Sequence, residues 1–206
     1  MQQVNVETWL SDNISDREIS IDNYQIVRAD CNRHGGGVLV YIHNALSWEI
    51  ILKDANDLEF IALSVSSGIT NTVKHCVSVL YRPPSAPVSF FDNFYNTLLS
   101  LSPHQFSSFV LIVDFNVNFC NTDHPYFCKL NGILHMLSLS QVVGTPTHTG
   151  PSGDSSLIDL ALISNAQKHS TKHCSIACQT FQYFNSIGAL SNLLENFFCC
   201  TRSKVI

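Results

Sequence analysis

The sequence predicts an α/β fold, because short strand-like apolar runs alternate with segments of helical spacing. Four runs rich in β-branched and aromatic residues occupy residues 38–42, 60–65, 76–80 and 109–113. Before the last run, large apolar side chains recur every three or four positions, at Phe90, Phe91, Phe94, Leu98 and Leu101. With 206 residues, 45% of them hydrophobic, the chain is long enough to bury a core of one domain or somewhat more.

The elements follow one another with recognisable boundaries. The strand at residues 38–42 is entered from three consecutive glycines, and the strand at 76–80 stops at YRPPSAP, whose prolines lack the backbone donor that a ladder needs. The helix containing Phe90 follows. The fully apolar run FVLIV then predicts a buried strand, and a second helix is expected over residues 125–138. After a turn-rich stretch, residues 157–163 predict a further strand.

Charge and hydropathy limit the classes of function. A net charge of -5 argues against a general basic DNA-binding surface, but it does not exclude a metal-dependent nuclease, which needs carboxylates at its metal. No window approaches the roughly 18 consecutive apolar residues that span a membrane. We therefore expect an intracellular chain that is not embedded in a membrane and carries no signal peptide.

Polar residues interrupt two of the apolar runs. Asp114 and Asn116 follow the run FVLIV, and Asp159 lies inside LIDLALI. Each acid could simply cap a turn or accept backbone hydrogen bonds, because an unpaired buried charge is costly. Alternatively the acids converge on a divalent cation, and the amide of Asn116 contacts a substrate oxygen. Phosphodiester hydrolysis uses this combination of metal, carboxylate and amide.

The order of several motifs supports the second alternative. They are ETWL at residues 7–10, YQIVRAD at 24–30, HGGGVLVYI at 34–42, LYRPP at 80–84, FFDNFYNTL at 90–98, VDFNVNF at 113–119, QVVGTPTHTG at 141–150 and SSLIDLALIS at 155–164. In this order, over about three quarters of the chain, the sequence resembles the endonuclease/exonuclease/phosphatase family. The resemblance is strongest to the apurinic-type endonuclease domain of non-LTR (LINE-like) retrotransposons.

The resemblance implies a four-layered α/β sandwich of the DNase I-like type, incomplete in this chain. Residues 1–165 would form a partial endonuclease/exonuclease/phosphatase domain. Residues 166–206 would form a divergent tail, in which helical spacing predicts a short amphipathic helix. The implied activity is nicking of target DNA, which depends on Mg²⁺ or Mn²⁺.

The resemblance also implies a role for individual residues. Glu7 would be the metal-binding carboxylate, and Tyr81 would place its phenol at the phosphate. Asp114 would position and activate the attacking water, with Asn116 contacting the phosphate or the transition state. Asp159 would orient a catalytic histidine by accepting its ring N–H.

Two arginines are weaker candidates for substrate binding. Arg28 and Arg33 could contact the DNA backbone, and a solvated surface role explains either of them equally well.

The sequence departs from the family pattern in ways that predict impaired activity. The family has a β-strand carrying a catalytic Asn before the ETWL segment, and we expect that strand to be missing here. The family also has a Ser-Asp-His signature on a late strand, whereas this sequence has no Asp after Asp159 and only His169 and His173 as later histidines. Val113 stands where family members usually have Gly, which could crowd the backbone beside the site.

Other functions remain open at this stage. The chain could be a non-catalytic remnant or interaction module on the same scaffold, or a family phosphatase acting on a small phosphoester. For the endonuclease interpretation the partner is DNA, the parent element would link the domain to a reverse transcriptase, and the place of action would be the nucleus.

Overall fold

Two β-sheets form the centre of this protein, for which the computed structural model describes residues 2–31, 36–66, 73–150, 152–164 and 199–200. The first sheet contains, in spatial order, β12 (Cys199–Cys200), β1 (Gln2–Val6), β3 (Val38–His43) and β2 (Tyr24–Ala29). The second contains, in spatial order, β4 (Ser47–Lys53), β5 (Glu59–Ser66), β6 (Lys74–Tyr81), β7 (Ser108–Asp114), β11 (Asp159–Ser164) and β8 (Leu139–Gln141). A separate short pair consists of β9 (His148–Thr149) and β10 (Ser155–Ser156).

Two α-helices pack on the second sheet. Helix α1 (Ser89–Leu101) and the 3₁₀ helix Pro103–Gln105 connect β6 to β7, which run parallel and therefore need a crossover. Helix α2 (Pro125–Met136) follows β7 and packs against α1 and β8. Every residue of β7 is buried, as expected for a central strand covered by the first sheet on one face and by helices on the other.

Among the described residues, a turn-rich segment rather than a helix covers the opposite side of the first sheet. Leu10 and Ile19 pack there against Leu39 and Tyr41, and the Tyr41 hydroxyl donates to the Ile19 carbonyl at 2.6 Å. The layers are therefore this segment, the first sheet, the second sheet and the helices. The predicted four-layered α/β class is confirmed.

Most of the predicted elements are confirmed, with small changes in their bounds. All five helical-spacing residues of α1, from Phe90 to Leu101, are buried. The structure also contains strands that the sequence did not predict, notably β1, β2 and β4. Strand β4 is an edge strand whose side chains are mostly exposed and whose register shifts between Ile50 and Leu52, so it lacks the buried alternation that marks a strand in sequence.

Strand β1 is paired on both of its edges, and the absence of the family's catalytic-Asn strand stays a prediction. In the structure β1 pairs with β3 along its whole length, and on its other side Gln3 and Val4 pair in parallel with Cys199 and Cys200. The predicted helix of the tail lies outside the described residues, and the domain boundary near residue 165 stays a prediction. No helix in the described ranges is long and apolar enough to cross a membrane.

A buried arginine connects the end of β6 to both helices. Arg82 is 1% exposed, and its guanidinium lies 5.1–5.5 Å from the ring centroids of Phe90, Phe91 and Tyr126. Its Nη1 donates to the Phe115 carbonyl at 3.2 Å and its Nη2 to the Ala86 carbonyl at 2.7 Å. One side chain thus restrains the YRPPSAP turn, the end of β7 and the helix layer.

We predict that Arg82→Ala lowers the free energy of unfolding by about 3 kcal/mol, since two charge-assisted hydrogen bonds and the cation–π contacts are lost. Urea denaturation measures this change. Arg17→Ala, which removes an exposed arginine, serves as the control and should change stability by less than about 0.5 kcal/mol. Equal effects of the two substitutions would contradict the role assigned to Arg82.

Candidate active site

Four polar residues form one row across the second sheet. Strand register pairs Glu59 with Tyr81, Tyr81 with Asp114, and Asp114 with Asp159. Residues paired in this way on neighbouring strands project from the same face of the sheet. The row therefore places three carboxyl groups and a phenol side by side at one end of the sheet, although the sequence separates them widely.

Glu7 reaches the same place from the first sheet. It directly follows β1, is half-buried and has a left-handed backbone with φ of 59°. Burial, followed by the charges of Glu7, Asp114 and Glu59, raises the pKa of Tyr81 to about 12. Acidic groups from both sheets thus surround a phenol that stays neutral at physiological pH.

Asp114 ends β7 and is held in place by neighbouring backbone. It is 1% exposed, its Oδ1 accepts the Asn116 N–H at 3.0 Å, and its carbonyl accepts the Arg82 N–H at 2.9 Å. The predicted position of Asp114 at the carboxyl end of a buried strand is confirmed. The preceding Val113 is fully buried in the main core, where its side chain finds space.

Asn116 makes a structural contact, and its role at the phosphate stays a prediction. Its φ is 51°, a left-handed conformation that Asn tolerates better than most residues. Its Nδ2 donates to the Arg82 carbonyl at 2.9 Å, which ties the loop after β7 to the end of β6. An amide carries two N–H donors, so a second one can serve a substrate oxygen.

Asp159 begins β11, and two residues that the sequence analysis missed position it. The Thr147 hydroxyl accepts the backbone N–H groups of Ile158 and Asp159 at 3.3 and 3.1 Å. The Asn118 Oδ1 accepts the backbone N–H of Leu157 at 3.1 Å. Thr147 lies in the motif GTPTHTG and Asn118 in VDFNVNF. Only the fold shows that their side chains accept hydrogen bonds from the backbone around Asp159.

Of the two candidate DNA-contacting arginines, only Arg28 lies within the described residues. Arg28 lies 3.1 Å from an Asp16 oxygen and 3.4 Å from an Asp30 oxygen, and its side chain is 18% exposed. Two acids therefore offset its charge, which leaves less of it for a phosphate. Arg33 lies outside the described residues, and substrate binding by either arginine stays a prediction.

Glu59 was also missed, because it opens the run FIALSV as a single acid beside an apolar segment. It is half-buried, and its Oε2 accepts the Gly37 N–H at 2.6 Å. Burial raises the pKa of its carboxyl, and the Gly37 hydrogen bond partly opposes that rise. Its place in the row follows from the register of β5, which no local sequence signal encodes.

The donor set suits a hard cation that is only partly held by protein. In the part of the chain that the structure describes, no cluster of three or more His, Cys, Asp or Glu side chains could hold a metal ion. Mg²⁺ often uses one or two carboxylates and completes its shell with water and phosphate oxygens. The carboxylate of Glu7, which lies close enough to Tyr81 to influence its pKa, would fit that mode of binding.

Comparisons with known proteins identify the fold. No family model and no curated protein matches the sequence. Among solved structures, the chain is similar to the endonuclease domain of TRAS1, a telomere-specific non-LTR retrotransposon, with 10% identity, a TM-score of 0.62 and coverage of 86% of this chain and 91% of that one. It is also similar to the human Nocturnin catalytic domain, with 13% identity, a TM-score of 0.54 and coverage of 80% and 69%.

A third similar structure is a mannosyl-6-phosphatase from Bacteroides thetaiotaomicron, with 11% identity, a TM-score of 0.52 and coverage of 79% of this chain and 73% of that one. At such identities the likeness shows the fold alone. The protein has the DNase I-like α/β sandwich, and the resemblance found in its sequence is confirmed at the level of fold.

The raised pKa of Tyr81 leads to a prediction about alkaline stability. A free tyrosine ionises near pH 10, so in the window from about 10 to about 12 the unfolded state loses this proton before the folded state does. The free energy of unfolding should therefore fall as the pH rises through this window, and it should fall less steeply in Tyr81→Phe. Urea denaturation at a series of pH values measures both slopes, and equal slopes would contradict the prediction.

Proposed function

We propose that this chain is a divalent-metal-dependent phosphodiester hydrolase domain of retrotransposon origin that nicks DNA with low activity. The observation that carries the proposal is the convergence of Glu7, Tyr81, Asp114 and Asp159 from two sheets at one end of the sandwich. The likeness in fold to a retrotransposon endonuclease domain supports DNA as the substrate. Such a role would place the chain in the nucleus and link its parent element to a reverse transcriptase.

The residues divide the chemistry between them. Glu7 would hold Mg²⁺ or Mn²⁺, and the ion would offset the charge of the scissile phosphate. Tyr81, neutral below a pKa of about 12, donates its O–H to a phosphate oxygen. Asp114 orients a water and accepts its proton, and the second amide N–H of Asn116 stabilises charge on the phosphoryl oxygens. Asp159 would accept the ring N–H of a catalytic histidine, the role that the resemblance implies for it.

Two features lead us to expect low activity: two of the candidate catalytic residues are buried, and the histidine that would assist the leaving group has no counterpart in a Ser-Asp-His signature. Asp114 is 1% exposed and Tyr81 is 3% exposed, so little of either residue is open to water or phosphate. The histidines that follow Asp159 in sequence, His169 and His173, lie outside the described residues and do not occur in a Ser-Asp-His signature. An unassisted leaving group costs roughly 10²-fold or more in rate.

The same burial favours a second candidate function, a non-catalytic interaction module. An acid and a phenol enclosed in this way can stabilise the scaffold without touching a substrate. A phosphatase of small phosphoesters is the remaining alternative, and the likeness in fold to a sugar phosphatase is its support.

The test is nicking of supercoiled plasmid by the full chain. We expect slow nicking that requires Mg²⁺ or Mn²⁺ and stops when a chelator is added. Asp114→Asn should reduce the rate by about 10²-fold or more, because the water loses its proton acceptor. Asp22→Asn, an exposed acid outside the site, is the control and should nick at the rate of the unmodified chain.

Two other results would replace the proposal. A folded chain that shifts DNA in an electrophoretic assay but never nicks it would support the interaction module. A chain that releases phosphate from a small phosphoester faster than it nicks plasmid would support the phosphatase. Circular dichroism of each variant establishes that loss of activity is not loss of fold.

A further inference from the structure

The loop that carries Glu7 has an unfavourable backbone conformation. Glu7 and Trp9 have φ values of 59° and 58°, a left-handed region that side chains with a Cβ rarely adopt. Two such residues within three positions persist only where the surroundings enforce them, and such strain is concentrated at functional sites. The contacts that enforce this conformation therefore decide where the Glu7 carboxylate lies.

Those contacts come from a pair of glycines that precede β3. The Thr8 N–H donates to the Gly37 carbonyl at 3.2 Å, and the Trp9 N–H donates to the Gly36 carbonyl at 2.9 Å. A Cβ on Gly37 would lie 2.6 Å from the Thr8 Oγ1, so only glycine permits this approach. Both hydrogen bonds lie within the part of the fold built on the first sheet.

The glycine pair is itself anchored to the second sheet by Glu59. The Gly37 N–H donates to the Glu59 Oε2 at 2.6 Å. A Cβ on Gly36 would lie 2.6 Å from that same oxygen and 2.9 Å from the Tyr81 Cε1, so the glycine backbone passes directly against both side chains. Glu59 is the first residue of β5 and is paired with Tyr81 in the ladder, which gives the anchor a fixed place.

We propose that Glu59 is a positioning residue: by accepting the Gly37 N–H it fixes the glycine pair, which in turn fixes the Glu7 loop opposite Tyr81 and Asp114. Glu59 reaches no substrate in this arrangement. Its action on metal binding rests on the proposed function, which assigns the metal to Glu7. The restraint on the loop does not depend on that assignment.

The chemistry of this role distinguishes it from a charge effect. Holding an N–H requires an acceptor oxygen at the end of a side chain of this length, and it does not require a negative charge. Glu59→Gln retains such an oxygen, whereas Glu59→Ala removes it. The two substitutions should therefore behave differently if Glu59 positions the loop, and alike if only its charge matters.

Hydrogen exchange of single backbone amides, followed by NMR on the full chain, tests the restraint directly. In Glu59→Ala the Thr8 and Trp9 amides should exchange about fivefold faster or more, because one hydrogen bond that closes the loop is lost. In Glu59→Gln they should stay within about twofold of the unmodified chain. Glu49→Ala removes an exposed glutamate of β4 and is the control, with no change expected at either amide.

A titration with Mg²⁺ on the same samples, read from the shifts of the Thr8 and Trp9 amide signals, tests the consequence for the site. Glu59→Ala should bind Mg²⁺ about tenfold more weakly than the unmodified chain, as is typical when a residue that orients a ligand is removed. Glu59→Gln should lose threefold or less by the same reasoning.

Unchanged exchange at Thr8 and Trp9 in Glu59→Ala would overturn the proposal, and so would equal effects of Ala and Gln. Faster exchange without weaker Mg²⁺ binding would overturn its functional half. If the unmodified chain binds no Mg²⁺, the proposed function fails, and the exchange rates still decide the role of Glu59. If Glu59→Ala does not fold, Glu59→Asp, one methylene too short to reach Gly37, takes its place.

Discussion

The buried guanidinium of Arg82 is the interaction on which the arrangement of the site depends. A charge on a side chain that is 1% exposed is costly unless its donors are satisfied. Two carbonyl oxygens and three aromatic rings offset much of that cost, although the Arg82 Nε has no hydrogen-bond partner among the described residues. The carbonyls belong to the YRPPSAP turn and to the residue after β7, and the rings belong to the two helices. The backbone of the same arginine also forms hydrogen bonds with Asp114 and Asn116. The packing of the helices and the position of Asp114 are therefore coupled through Arg82.

The site itself is made by sheet register and by the meeting of two sheets. Asp114 lies between Tyr81 and Asp159 because β7 lies between β6 and β11, and a shift of one residue in either pairing would turn an acid to the opposite face. Glu7 arrives from another sheet and depends on loop contacts instead. Rigid strands thus hold most of the candidate catalytic groups, whereas Glu7, the proposed metal ligand, depends on a loop.

Local sequence signals predicted much of this structure and missed what is set by distant contacts. The run FVLIV is apolar on both faces, so both the buried strand β7 and the position of Asp114 at its end could be inferred. The apolar spacing of α1 predicted its buried face in the same way. Strand β4 could not be found, since an exposed edge strand has no buried alternation, and Glu59 could not be assigned, since its neighbours are decided by pairing with β6. The ion pairs of Arg28 with Asp16 and Asp30 likewise exist only in the fold.

The row formed by Glu59, Tyr81, Asp114 and Asp159 also has a consequence for the order of folding. Two of the three pairings, Tyr81 with Asp114 and Asp114 with Asp159, join segments that are far apart in the chain, and the first of these is parallel and closes only after a helical crossover. Contacts of this kind form slowly, because the entropy of closing long loops is lost before the contact stabilises the chain. The helices can form from local contacts, whereas the acids meet only when β5, β6, β7 and β11 have paired. A collapsed chain that has already formed its helices therefore still lacks the candidate site until these strands have paired.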